Sequence, residues 1–200
     1  MTRTLTITHL YPKNLNLYGD LGNVIALQRR CEWHGIECRV QGLDIDDRAQ
    51  PYETDLYFMG GGQDNDQVAV VEDFHSLKRD AILEDTEKDV PFLGVCGGYQ
   101  LMGNTFLMGD NRETRGLGII DVTTKAPGIE VKQRCIGNLV AELTPDIQQQ
   151  LGQLYNNQQK TALKTLVGFE NHSGQTYLGS DVVPLAKTLS GFGNNYEARY

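Results

Sequence analysis

The stretch that decides the reading is Pro91-Phe92-Leu93-Gly94-Val95-Cys96-Gly97-Gly98-Tyr99-Gln100. Its first half, Phe92 to Val95, is a short apolar run between a proline and a pair of glycines. Such a run reads as a strand buried on both faces, of the kind that fills the middle of a parallel sheet. A helix is expected to begin near Gly98. Between strand and helix, Cys96 sits in a Gly-x-nucleophile-x-Gly frame. A sharp strand-to-helix turn crowds side chains, so glycines belong beside it and the turning residue takes a strained backbone. The helix start brings partial positive charge and free N–H groups to the sulfur, and the Gly97 N–H can face a developing oxyanion. Cys96 therefore reads as a nucleophile and not as a core thiol. Cys31, Cys38 and Cys135 lack such surroundings and read as ordinary thiols.

Outward from this point the chain alternates strands and helices. Thr4 to Leu10 is a strand, Asn14 to Gly19 a loop, Asp20 a helix N-cap, and Leu21 to His34 a helix stopped by Gly35. Cys38 to Leu43 and Leu56 to Met59 are further strands, and a helix is expected around Phe74 to Leu83. This alternation predicts an α/β fold with a mostly parallel central sheet and helices on both faces. In such a sheet, sites form at the C-terminal ends of the strands. Gly60-Gly61-Gly62 follows the strand ending at Met59, so this loop and Cys96 should open onto one edge. An N–H from Gly61 or Gly62 would then be a second oxyanion donor. No Gly-Lys-Ser/Thr follows, so it is not a phosphate loop. The second half is less regular. Strands are expected at Ile119 to Thr124, Ile136 to Leu143 and Leu166 to Phe169, and Asp146 to Lys160 reads as a surface helix plus loop.

Composition removes several classes. Eighteen Lys+Arg against 26 Asp+Glu give a net charge of -8, with no basic run to hold nucleic acid. No apolar stretch reaches the length of a membrane span, and no signal-peptide core follows Met1, so the chain is expected to be cytoplasmic. The four cysteines are scattered, without a CxxC pair or a Cys/His cluster at metal spacing, so free thiols and no metal are expected. Two hundred residues suit a single domain.

Gly60-Gly61-Gly62-Gln63-Asp64 together with Gly94 to Gln100 resembles the class I glutamine amidotransferases of the cobyric-acid-synthase-like branch. Asn14-Leu15-Asn16-Leu17-Tyr18-Gly19-Asp20-Leu21-Gly22-Asn23 and Gly168-Phe169-Glu170-Asn171-His172-Ser173-Gly174 narrow the resemblance to the glutaminase subunits of lipid II isoglutaminyl synthases. It runs from the first strand to about Asn195. It implies a class I glutamine amidotransferase-like fold and hydrolysis of L-glutamine to glutamate and ammonia through a thioester on Cys96. It also implies a heterodimer, with ammonia passed to a Mur-ligase-like synthetase, MurT. That partner would use ATP and magnesium to amidate the D-glutamate of lipid II in peptidoglycan synthesis, leaving no cofactor in this chain. Two alternatives stay open: delivery of ammonia to another acceptor such as a corrinoid precursor, and a non-catalytic subunit that only binds a partner.

The resemblance also assigns residues. Arg134, in Gln133-Arg134-Cys135-Ile136-Gly137, stands where the family places an arginine that holds the substrate; a guanidinium grips an α-carboxylate with two hydrogen bonds. Gln100, one helical turn beyond Cys96, is expected to face the same cavity. The family's catalytic histidine lies in a Gly-Thr-Tyr-Leu-His-Gly-type segment beyond the part that Gly191 to Asn195 resembles. That segment does not occur before Tyr200, and the expectation is a C-terminally incomplete chain. Of the histidines present, His9 reads as packed, His34 as a helix-terminal charge and His75 as exposed. His172 is the best-placed base on position alone, but the family pattern disfavours it. Asp20 and Asn23 read as structural.

Overall fold

Thr4-Leu5-Thr6-Ile7-Thr8-His9-Leu10 alternates β-branched and apolar side chains, and it forms β1 (Thr4–Leu10) with the bounds its pattern predicts. The computed structural model describes residues 4–17, 19–62, 64–107, 112–127, 134–154 and 163–196. Tyr18, Gln63, Gln133 and the 155–160 part of the Gln/Asn-rich stretch lie outside the described residues. The chain forms two compact units, residues 1–106 with 114–120 and residues 107–113 with 121–200.

In the first unit β1 is followed by α1 (Leu21–Trp33), β2 (Glu37–Leu43), β3 (Leu56–Met59), α2 (Asp64–Leu77), α3 (Arg79–Thr86), β4 (Phe92–Gly94) and α4 (Gly97–Met102). The strands lie in the order β2-β1-β3-β4, all parallel. Leu10 pairs with Leu43 and Met59, and Met59 pairs with Gly94, so the four strands end on one edge. Side chains alternate across the pleat. Tyr57 and Met59 pack with Val70, Phe74, Ile82 and Leu101 from α2, α3 and α4. Phe58, between them in sequence, packs the other way with Ile7 of β1 and with Val24 and Leu27 of α1. Helices thus cover both faces of a parallel sheet.

Two expectations need correction. The helix predicted around Phe74 to Leu83 is two helices, divided at Lys78, whose backbone leaves the helical region (φ -129°). The Lys78 ammonium is buried against the Asp73 carboxylate and the Asp47 carbonyl, a pairing that apolar periodicity cannot reveal. The run Phe92 to Val95 was expected in the middle of the sheet. Its strand β4 instead terminates the described sheet beside β3, and Leu93 is 41% exposed.

Two three-residue strands, β5 (Thr105–Leu107) and β6 (Glu113–Arg115), lie where the chain passes from one unit to the other. The second unit holds β7 (Val122–Lys125), β8 (Cys135–Leu143), α5 (Pro145–Leu154), β9 (Thr165–His172), β10 (Gln175–Leu178) and β11 (Ala186–Ser190). Its pairings are antiparallel: β10 with β7, and β8 between β11 and β9. The strand expected at Ile119 to Thr124 begins later, at Val122, and the one expected at Leu166 to Phe169 extends to His172. Among the described residues no helix is long and apolar enough to cross a membrane, and no group of three or more His, Cys, Asp or Glu side chains could hold a metal ion.

Candidate active site

Cys96 makes the turn from β4 into α4 with φ 55° and ψ -117°, outside the ordinary left-handed well. A non-glycine residue held there costs about 1–3 kcal/mol, so its surroundings must fix it. The Val95 N–H donates to the Met59 carbonyl at 2.9 Å, tying the elbow to β3. The N–H groups of Gly98 and Gln100 donate back to the carbonyls of Val95 and Cys96 at 3.0 and 3.2 Å. Gly98 must be glycine: a Cβ there would press into the Met59 carbonyl and lie 2.7 Å from that of Gly60, both rigid backbone. The elbow stands against the sheet with its sulfur outward, and Cys96 is exposed.

The glycine loop comes to it directly. A Cβ on Gly61 would lie 3.0 Å from Cys96 Cβ and 3.2 Å from its Sγ. The segment before α1 holds this loop in place. The Gly61 N–H donates to Asp20 Oδ2 at 3.2 Å, and the Gly61 carbonyl accepts the Leu17 N–H at 3.1 Å. In a trans peptide the C=O and the following N–H point in opposite directions. With the Gly61 carbonyl turned to Leu17, the Gly62 N–H points away from the Leu17 side. Among the described residues neither the Gly62 N–H nor the Gly97 N–H has an acceptor. Of the two loop donors considered from sequence, Gly61 is therefore committed to Asp20 and Gly62 is free for an oxyanion.

Asp20 stands at the N-cap position of α1, as read from the sequence, but its side chain does not cap the helix. It makes no side-chain cap hydrogen bond; Asn16 Oδ1 accepts the Leu21 N–H at 2.8 Å and caps α1 in its place. The buried Asp20 carboxylate is turned to the glycine loop, where it satisfies the Gly61 donor. Gln100 is half-buried on α4, one turn past Cys96. His9 is buried on β1, edge-on to Phe58 at 5.1 Å between ring centroids. Burial holds its imidazole below the ordinary value, opposed by the charges of Asp20 and Asp44. His34 is the C-cap residue of α1. His75 is half-buried and not exposed, with its Nε2 2.9 Å from the Gly116 carbonyl.

The second unit holds Arg134 and His172. Arg134, just before β8, is exposed, and its Nε and Nη2 donate to Asn171 Oδ1 at 3.2 and 3.0 Å. Asn171 lies on β9, paired in register with Ile136. The buried Glu170 accepts the N–H groups of Phe192 and Gly193 at 2.7 and 3.0 Å. His172 closes β9 with Nδ1 2.9 Å from the Gly174 carbonyl and Nε2 3.7 Å from Glu170 Oε2, so both ring nitrogens face groups of its own unit. Residue reading by sequence missed Asp20 as a loop brace, Asn171 as the support of Arg134, and Glu170. All three lie in the two segments that carry the narrower resemblance, which marks them for attention but assigns none of these roles.

A strained cysteine at a strand–helix elbow, with two free N–H groups beside it, suits attack on a carbonyl carbon. Residues 6–199 match the CobB/CobQ-like glutamine amidotransferase domain family. The chain belongs to this family. Two curated members are similar over 96% of this chain, both named lipid II isoglutaminyl synthase (glutamine-hydrolyzing) subunit GatD. That of Staphylococcus aureus (strain N315) is 34% identical, with 70% of its own length covered. That of Streptococcus pneumoniae (strain ATCC BAA-255 / R6) is 31% identical, with 66% covered. A probable cobyric acid synthase of Methanosphaera stadtmanae is 30% identical over 65% of this chain but only 25% of its own length. Among solved structures, PurLQS from Thermotoga maritima superposes with a TM-score of 0.55 at 14% identity, covering 98% of this chain and 78% of that one. This likeness bears on the fold alone.

Proposed function

We propose that this amidotransferase chain is the glutaminase subunit of a lipid II isoglutaminyl synthase, hydrolysing L-glutamine through a thioester on Cys96. The observation that carries the chemistry is the approach of the glycine loop to the elbow, with Gly61 against the Cys96 sulfur and the Gly62 and Gly97 N–H groups free. The likeness to the two GatD subunits carries the choice of acceptor system. Cys96 Sγ attacks the side-chain carbonyl carbon of glutamine, and the carbonyl oxygen takes up negative charge between Gly62 and Gly97. The C–N bond then breaks, and the thiol proton leaves on the nitrogen as ammonia departs. Water attacks the resulting thioester, the C–S bond breaks, and glutamate is released with the thiol restored. Each oxyanion donor is worth about 10²–10³-fold in such a reaction.

Arg134, aimed by Asn171, is the candidate group for the glutamine α-carboxylate, and Gln100, one turn beyond Cys96, is the candidate residue near the substrate amide. The ammonia passes to a Mur-ligase-like synthetase, MurT, which spends ATP with magnesium on the D-glutamate of lipid II; this chain itself needs no cofactor. The test is ammonia release from L-glutamine by the chain with that synthetase. Turnover that vanishes in Cys96→Ala supports the reading, and equal turnover in the two proteins overturns it.

A further inference from the structure

Gln67 lies in the first turn of α2, outside the residues that touch the reacting atoms in the reading above, yet only 3% of it is exposed. Its Nε2 donates to the Gly62 carbonyl at 3.2 Å. The same nitrogen would be 2.7 Å from a Cβ built on Gly97, and the Gly62 nitrogen would be 3.3 Å from that point. One buried carboxamide thus touches both backbone segments that carry the free N–H groups. Its other end, Oε1, is buried with no hydrogen-bond partner among the described residues. Buried polar groups are nearly always paired. A glutamine placed only to pack α2 would give up a hydrogen bond here for nothing, since an apolar residue would fill the space.

We propose that Gln67 is a positioning residue that sets the geometry of the oxyanion donors; this rests on the reading of Cys96 as a glutaminase nucleophile. Glycine has no Cβ to restrict it, so the direction of the Gly62 N–H holds only if the peptides on both sides of Gly62 are held. Leu17 holds the one before, through the Gly61 carbonyl, and Gln67 holds the one after, through the Gly62 carbonyl. By filling the space over the Gly97 α-carbon, the same side chain keeps the two donors at a fixed spacing. Its Oε1, unpaired among the described residues, marks a network one donor short there.

The experiment compares the parent chain, Gln67→Met and Gln67→Glu, each with the synthetase partner. Met keeps the length without a donor, and Glu presents only acceptors to the Gly62 carbonyl. With L-glutamine, kcat should fall about tenfold or more in both, part of what a whole donor contributes, while KM stays within about twofold because ground-state binding is untouched. Alkylation of Cys96 by iodoacetamide, a displacement at an sp³ carbon that forms no oxyanion, should keep the parent rate. An unchanged kcat in Gln67→Met overturns the inference. So does a parallel fall in the alkylation rate, which would mean that the elbow itself had moved. If the parent neither releases ammonia nor forms a glutamyl thioester on Cys96, the glutaminase reading falls and this inference with it; an active parent with a fully active Gln67→Met removes this inference alone.

Discussion

The elbow of the first unit and the Arg134 strand pair of the second are built in opposite ways. Around Cys96 the sheet is parallel, the side chains are glycines, and backbone groups make the geometry: Met59 and Gly60 carbonyls behind Gly98, and Asp20 and Leu17 on either side of the Gly61 peptide. Around Arg134 the pairing is antiparallel, and one side chain, Asn171, orients another across β8 and β9. A site made of backbone tolerates almost no change of residue, because rigid carbonyls cannot retreat. A site made of long side chains should lose its function by degrees.

That difference ranks the expected effects. Gly98→Ala should be the most damaging, because the new methyl meets the backbone of Met59 and Gly60. Loss of glutaminase activity by more than about a hundredfold is expected from misplaced donors, with a loss of about 1–3 kcal/mol in denaturant stability from overpacking. If Gly98→Ala keeps parental activity, the elbow is not held from behind as described. Arg134→Ala should come next. Removing a charge-assisted hydrogen bond costs about 1.5–3 kcal/mol, so the KM for glutamine should rise by about ten- to a hundredfold, while hydrolysis of a small amide without an α-carboxylate stays level. Equal losses on both substrates would give Arg134 another role.

Asn171→Ala should raise the same KM more gently, by about three- to tenfold, since the guanidinium stays but loses the two hydrogen bonds that aim it. A larger effect than that of Arg134→Ala would reverse the order of support.

The smallest effect concerns pH. His9 is held below its ordinary value of 6.5 by burial. The unfolded chain therefore takes up a proton that the folded chain refuses as pH falls below about 6.5, and stability drops until the folded histidine also titrates. Denaturant midpoints should decline over that window in the parent and decline less in His9→Phe. Identical slopes in the two proteins would place the titration elsewhere.

The same contrast explains what was legible in the sequence. β1 and β3 could be read to the residue, because alternation and short apolar runs are local patterns. The pairing of Gly60-Gly61-Gly62 with Cys96 could be read because parallel strands put their C-terminal ends on one edge. Asp20 was misjudged because a carboxylate before a helix has an ordinary role as a cap; only the fold shows Asn16 capping α1 and leaving Asp20 to the loop. The break at Lys78 goes with burial of its ammonium against the Asp73 carboxylate, a residue that sequence periodicity treats as a surface charge. β10 and β11 were missed because Gln175-Thr176-Tyr177-Leu178 and Ala186-Lys187-Thr188-Leu189-Ser190 are short and largely polar, with no apolar run to mark them. Asn171 and Glu170 were quoted for their resemblance, but their neighbours Arg134, Phe192 and Gly193 lie 37, 22 and 23 residues away and no spacing rule joins them.

The most direct test of the central claim is ammonia release from L-glutamine, measured for the parent and for Cys96→Ala in the presence of the synthetase partner, with trapping of the acyl group on Cys96 by mass spectrometry. The account predicts a glutamyl adduct on the Cys96 peptide of the parent, with ammonia released slowly unless the segment bearing the family's catalytic histidine is present, and neither from Cys96→Ala. Ammonia released at the parental rate by Cys96→Ala, or an acyl group trapped on any other residue, would contradict it.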